Sequence, residues 1–116
     1  MYPERLIDHF QNPRNVGELS PPAKVVEVSN PACGDIMRLS AAFDGDRVAE
    51  VRYKVRGCTA SIAAGSALTE WMQGKSRAEL AAFDPAVVDE AVGGLPAASQ
   101  HAGVLCRDAV KALLRA

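Results

Sequence analysis

Five residues of this sequence could bind a metal ion or supply a reactive thiol. They are, in chain order, Cys33, Asp35, Cys58, His101 and Cys106. Cys33 and Asp35 belong to the segment PACGDIM (31–37), and in an extended backbone residues two positions apart point to the same side. Gly34 between them lets the backbone bend close to whatever the two side chains hold. This segment therefore predicts one edge of a metal site or of an activated-thiol site.

Cys58 follows Gly57 at the predicted junction between a strand and a helix. If the helix starts directly after Cys58, its free N–H groups and the positive end of its dipole stabilise a thiolate there. A small buried thiol at such a junction is also common. The sequence alone leaves both interpretations open.

His101 and Cys106 fall near the start and on the apolar face of the predicted last helix. A single histidine is more often solvated or hydrogen-bonded than a ligand, and the apolar position of Cys106 favours a core cysteine. Five positions correspond to about 140° around an ideal helix, so one ion could bind both only if His101 precedes the first turn. Helical side chains lean toward the N-terminus, which would bring Cys106 back toward the level of position 102.

The elements that must position these residues follow from periodicity and turn residues. Apolar spacing predicts a short amphipathic helix over residues 2–11, and β-branched and alternating patterns predict three strands. Asp44-Gly45-Asp46 is typical of a hairpin turn. The strands are predicted over Lys24–Ser29, Met37–Phe43 and Arg47–Val55. Helices are predicted over 59–73, after the capping residues Ser76 and Asp84, and from about Ala98 to Leu114.

This order of elements predicts one α+β domain over residues 1–116. A small three-stranded antiparallel sheet has helices packed on one face and water on the other. The chain is 48% hydrophobic and 23% charged, as in ordinary globular proteins. Its formal net charge of -1 gives no strong field for nucleic acid, and no apolar run approaches the ~20 residues of a membrane span. Three cysteines without an apparent export signal predict a cytoplasmic protein with free thiols.

The separate stretches together resemble a known family. PACGDIM, GCTASIAAGSALTEW and a histidine followed by LCRDAVKALL, with LIDHFQNPRNVG near the start, resemble the iron–sulfur cluster assembly scaffolds of the IscU/NifU N-terminal type. The resemblance covers nearly the whole chain. It implies a non-enzymatic scaffold that builds a transient [2Fe–2S] cluster and passes it to acceptor apoproteins. It also implies a cysteine desulfurase as sulfur source and, often, an Hsp70-type chaperone that assists release.

This resemblance implies that the cluster ligands are Cys33, Cys58 and one of His101 or Cys106, with Asp35 as a labile ligand. Cys33 and Asp35 match the family's first cysteine and its aspartate, and Cys58 matches the second cysteine. His101 matches the histidine that precedes the third cysteine. A carboxylate or imidazole among thiolates makes a mixed site, which suits a carrier better than a structural zinc site. We therefore interpret Asp35 as the ligand that is released most easily.

The chain departs from the family pattern at two places. The third cysteine would fall on Ala102, so Cys106, one helical turn later, is interpreted as a relocated third ligand. The family's chaperone-binding segment, Leu-Pro-Pro-Val-Lys, appears here as LPAAS (95–99) and lacks the lysine.

Two alternatives to the scaffold stay open. One is a zinc-bound sulfur acceptor that stimulates a cysteine desulfurase, although the insertion usual in that branch of the family has no room here. The other is a relative that has lost cluster assembly together with the cysteine at position 102. The mixed S, N and O donors would also let the isolated protein carry zinc.

Overall fold

The computed structural model describes residues 2–31 and 34–116 of the chain. Helix α1 precedes three strands, and four further helices follow. The bounds are α1 Glu4–Gln11, β1 Lys24–Ser29, β2 Ile36–Asp44, β3 Arg47–Arg56, α2 Thr59–Met72, α3 Arg77–Ala81, α4 Pro85–Ala91 and α5 His101–Arg115. A short 3₁₀ turn over Ala97–Ser99 lies directly before α5. The predicted α+β class with a three-stranded antiparallel sheet is confirmed.

The sheet has the order β1-β2-β3 with antiparallel neighbours throughout. β2 and β3 are joined by a two-residue turn whose Gly45 has φ +62°, a conformation that glycine adopts without strain. The register pairs Ile36 with Arg56. This pairing brings the residue before β2 close to the residues after β3, which is where two of the candidate ligands lie.

One face of the sheet forms the core together with α2 and α5. Alternate residues of β2 and β3, among them Leu39 and Tyr53, are almost fully buried. The Tyr53 ring lies against Gly65 of α2, where an added Cβ would stand 2.4 Å from the ring carbon Cε2. The Tyr53 hydroxyl donates a hydrogen bond of 2.7 Å to the carbonyl of Ile62. These contacts fix α2 on β3 and thereby fix the N-terminal end of α2.

The last helix begins later than predicted. Pro96 adopts extended backbone angles, and the Ser99 N–H donates to the Pro96 carbonyl at 2.8 Å in a 3₁₀ bond. Regular α-helical structure therefore starts at His101 rather than near Ala98. As a result, the His101 side chain stands at the very beginning of α5.

Helix α1 is attached to α2 through His9, a residue that the sequence analysis did not assign to any site. The His9 ring is 7% exposed, and its Nδ1 lies 2.8 Å from Ser66 Oγ. Arg14 donates its backbone N–H to the same Ser66 oxygen at 2.9 Å, and its guanidinium lies 3.3 Å from His9 Nδ1. His9 is thus part of the packing between α1 and α2.

Within residues 2–31 and 34–116, no helix combines the length and apolar character needed to cross a membrane.

Candidate metal centre

Three elements each contribute one donor atom to a single cluster. Asp35 directly precedes β2, Cys58 is the N-cap residue of α2, and His101 is the first residue of α5. Asp35 Oδ2 lies 3.3 Å from Cys58 Sγ and 3.5 Å from His101 Nε2. Cys58 Sγ and His101 Nε2 are also 3.5 Å apart. Among the described residues, this is the group of histidine, cysteine and acidic side chains with metal-binding spacing.

The spacing of these atoms fits a tetrahedral ion. Bonds of about 2.0–2.3 Å from such an ion place neighbouring donors about 3.3–3.8 Å apart. The three observed separations, 3.3, 3.5 and 3.5 Å, lie within that range. One carboxylate oxygen, one thiol sulfur and one imidazole nitrogen are donors that suit zinc and iron. The types and separations of these three donor atoms therefore fit a single metal ion.

The Asp35 carboxylate is buried, with 6% exposure, and hydrogen-bonded in its pocket. Its Oδ2 accepts a bond of 2.5 Å from the Ser61 hydroxyl and one of 3.4 Å from the Cys58 backbone N–H. Burial by itself raises the pKa of Asp35, but the hydrogen bonds from Ser61 and Cys58 and the nearby His101 outweigh burial and hold this pKa below its ordinary value. The carboxylate therefore stays ionised and available as a donor.

Two further residues shape this pocket: Ser61, which the sequence analysis missed, and Gly57, which it had noted beside Cys58. Ser61 is fully buried and follows Cys58 by three positions, so both side chains lie on the same face of the first turn of α2. Gly57 leaves room for the carboxylate, because a Cβ there would stand 2.5 Å from Asp35 Cγ. The i, i+3 spacing from Cys58 was the available indication for Ser61, but it was concealed in a stretch rich in alanine and serine.

Cys106 does not join this cluster. Its side chain is fully buried, and burial raises the pKa of its thiol to about 12. The thiol acts electrostatically on Tyr53, whose own pKa is raised to about 12, chiefly by burial. Because α5 is regular from His101 onward, the five-residue separation turns Cys106 away from the face of the helix that carries His101. The interpretation of Cys106 as a relocated third ligand is therefore corrected: in this structure it is a core residue.

The remaining positions of the predicted ligand set have separate outcomes. Ala102, where the family pattern would place a cysteine, is fully buried and offers no donor atom. Cys33 lies outside the described residues, so its role as a ligand stays a prediction. Asp35, Cys58 and His101 are brought together, and their role as metal ligands stays a prediction.

The fold and the site define the class: an α+β domain in which a sulfur, a nitrogen and an oxygen donor from three elements form a candidate metal site. The family model of the NifU-like N-terminal domain matches residues 1–116, and the chain belongs to this family. The resemblance drawn from the sequence motifs is thereby confirmed.

Curated relatives and solved structures agree with this assignment. The chain is 45% identical over 111 residues to the bifunctional protein NifU/MnmA of Rubrobacter xylanophilus; the match covers 94% of this chain but only 23% of that protein. It is 39% identical over 111 residues to the iron–sulfur cluster assembly scaffold protein IscU 1 of Archaeoglobus fulgidus, covering 96% of this chain and 72% of that one. The crystal structure of a nitrogen-fixing NifU-like protein (N-terminal) from Brucella abortus superimposes with a TM-score of 0.77, covering 97% of this chain and 90% of that one at 19% identity, which supports the fold.

Proposed function

We propose that this chain is a scaffold on which a [2Fe–2S] cluster is assembled and from which it is passed to other proteins. One observation carries the proposal: Asp35, Cys58 and His101 place an oxygen, a sulfur and a nitrogen donor within 4.8 Å of one another. Membership of the NifU-like N-terminal domain family and similarity to a protein named as an assembly scaffold support it.

Each donor has a distinct part in this proposal. The Cys58 thiolate is the soft ligand that iron–sulfur clusters require, and His101 supplies an imidazole nitrogen from a second element. Asp35 adds a harder oxygen donor, which bonds less strongly to iron in the presence of sulfide. Cys33 is proposed as a second thiolate on sequence grounds, because it precedes Asp35 by two positions. Iron and sulfide are cargo in this scheme, so the site must bind them and also release them.

The partners follow from the same scheme. A cysteine desulfurase would supply the sulfur, and apoproteins with free thiolates would accept the finished cluster; the chain itself would catalyse no reaction. An Hsp70-type chaperone would engage segment 95–99 weakly, because Leu95 is 7% exposed and the lysine of the family segment is absent.

Anaerobic reconstitution with iron, cysteine and a desulfurase tests the proposal. We expect visible absorption of a [2Fe–2S] cluster, loss of that absorption in Cys58→Ser, and its retention in Cys106→Ala, because Cys106 is a core residue outside the cluster of donors. Transfer to an apoferredoxin should follow. A protein that remains colourless, or one in which Cys106→Ala abolishes the cluster as fully as Cys58→Ser, would contradict the proposal.

A second candidate function is the zinc-bound sulfur acceptor. The donor separations of 3.3–3.5 Å support it to the same extent as the scaffold, because they match tetrahedral zinc as well as iron. A colourless protein that holds one zinc ion and accelerates a desulfurase would support this candidate. A protein that binds no metal under either condition would support loss of cluster assembly.

A further inference from the structure

We propose that Ser61 is a positioning residue of the metal centre: its hydroxyl holds the Asp35 carboxylate in place as a donor and so strengthens metal binding. This inference rests on the proposed function only in requiring that the cluster of Asp35, Cys58 and His101 binds metal.

The contact between the Ser61 and Asp35 side chains is short and buried. Ser61 Oγ lies 2.5 Å from Asp35 Oδ2, and the serine is 0% exposed while the aspartate is 6% exposed. A hydrogen bond from a hydroxyl to a carboxylate at such a distance belongs to the stronger class of charge-assisted bonds. Little water has access to this pocket, so removal of the hydroxyl would leave the buried carboxylate with fewer donors.

The geometry places the bond on the oxygen that the metal would use. Oδ2 is the carboxylate oxygen nearest both Cys58 Sγ and His101 Nε2. Oδ2 also accepts a hydrogen bond from the Cys58 thiol, whose sulfur lies 3.3 Å away. The thiol loses its proton when the sulfur binds a metal, so this hydrogen bond is then lost. Oδ2 accepts bonds from the Ser61 hydroxyl at 2.5 Å and from the Cys58 backbone N–H at 3.4 Å, and a carboxylate oxygen has two lone-pair sites. The shorter Ser61 bond keeps one site, and the metal takes the other in place of the long contact with the Cys58 N–H. The serine contact therefore persists through metal binding, whereas the thiol contact does not.

Ser61 also has a fixed place relative to the thiol. Cys58 is the N-cap of α2 and Ser61 lies three positions later in its first turn, with Cys58 Sγ 3.4 Å from Ser61 Oγ. One helical turn thus carries both a ligand and the group that orients a second ligand from a different element. Groups that hydrogen-bond to metal ligands commonly change metal affinity by about 10–100-fold when they are removed.

Titration with Co²⁺ under anaerobic conditions tests the inference, because thiolate-to-cobalt absorption reports binding directly and needs no cluster or partner protein. We expect Ser61→Ala to weaken Co²⁺ binding by about 10-fold or more. Ser61→Thr, which keeps the hydroxyl, should stay within about threefold of the parent protein. Ser66→Ala is the matched control: Ser66 is also a fully buried serine of α2, but its hydroxyl contacts His9 and Arg14 instead.

A double-mutant cycle separates positioning from a general structural role. If Ser61 acts through Asp35, Ser61→Ala should have little further effect on Co²⁺ affinity when Asp35 is already alanine. An equal loss in both backgrounds, or an unchanged affinity in Ser61→Ala, would overturn the inference while leaving the scaffold proposal intact. Failure of the parent to bind Co²⁺ would instead overturn the metal centre itself, and the inference with it. If Ser61→Ala does not fold in buffer, the same cycle is run for all variants in sucrose, an osmolyte that favours the compact state.

Discussion

Gly57 and Asp35 touch so closely that only a hydrogen fits between them. A Cβ built on Gly57 would lie 2.5 Å from Asp35 Cγ and 2.7 and 2.8 Å from its two oxygens. All three atoms belong to the carboxylate, so the bare backbone of Gly57 forms one wall of the pocket. The glycine that precedes Cys58 is thus explained by the position of a donor from another element.

Gly57→Ala should therefore displace the Asp35 carboxylate. We expect a loss of about 1–3 kcal/mol in unfolding free energy from overpacking, measured by urea denaturation. Co²⁺ affinity should fall by about 10-fold, because the displaced Asp35 carboxylate binds the ion less strongly and also loses its hydrogen bond from Ser61.

The matched control for this prediction removes the clash from the other side. In an Asp35→Ala background the three contacting atoms are absent, so Gly57→Ala should cost little additional stability. A full additive loss in that background would show that the effect of Gly57→Ala does not arise at the carboxylate.

Asp35→Ala should slow the transfer of an assembled cluster to an acceptor apoprotein. The carboxylate is the hardest of the three donors, so we expect the incoming thiolate of an acceptor to displace it first. Transfer to apoferredoxin, followed by circular dichroism, measures the rate. Asp44→Ala, at an exposed carboxylate at the end of β2, is the control and should transfer as the parent does. Equal rates for parent and Asp35→Ala would refute the role of Asp35 in release.

The attachment of α1 should weaken at acidic pH. Burial, and to a smaller extent the Arg14 charge, lower the pKa of His9 below its ordinary 6.5, although Glu70 and Asp8 favour the charged ring. Arg14 can only donate, so Nδ1 must be unprotonated to accept its bond. The unfolded chain therefore takes up this proton at a higher pH than the folded protein does. The contribution of His9 is complete above about pH 6.5 and is lost as pH falls through the lowered pKa.

Urea midpoints between pH 7.5 and pH 5 measure this effect. His9→Gln lacks the titrating ring, so its stability should depend less on pH over this range than that of the parent. An equally steep acid dependence in the variant would assign the effect to other groups.

Much of the fold could be predicted because the relevant patterns are local. The bounds predicted for the first strand, Lys24–Ser29, are those of β1, and the helix predicted over 59–73 is α2 to within one residue. The capping pattern at Ser76 forms the expected reciprocal bonds with Glu79. The start of α5 was placed too early, because a 3₁₀ turn after Pro96 could not be distinguished from helix by apolar spacing alone.

The candidate site was harder to predict because it depends on register and on packing between distant segments. Cys58 is separated from Asp35 by 23 positions and from His101 by 43, so no local sequence pattern predicts that their donor atoms lie close together. The family resemblance brought these residues into one proposal, and the structure places them together. The same spacing arguments left open whether Cys106 is a ligand or a core residue. Its full burial and the regularity of α5 from His101 onward identify it as a core residue.

The buried thiol of Cys106 should make the protein less stable at alkaline pH. Its pKa is raised by burial from an ordinary 9.0 to about 12, so in the unfolded chain the thiol ionises first. The contribution of the Cys106 thiol to the free energy of unfolding is complete below about pH 9 and is lost as pH rises toward 12. At pH 10 the loss is about 1 kcal/mol. Tyr53, whose pKa is raised by burial from 10.0 to about 12, adds a loss of stability that begins near pH 10.

Urea midpoints at pH 8, 9, 10 and 11 should therefore fall less steeply in Cys106→Ala than in the parent, even if the variant is less stable at pH 8. Equally steep profiles in Cys106→Ala and the parent would contradict the assignment of Cys106 to the core.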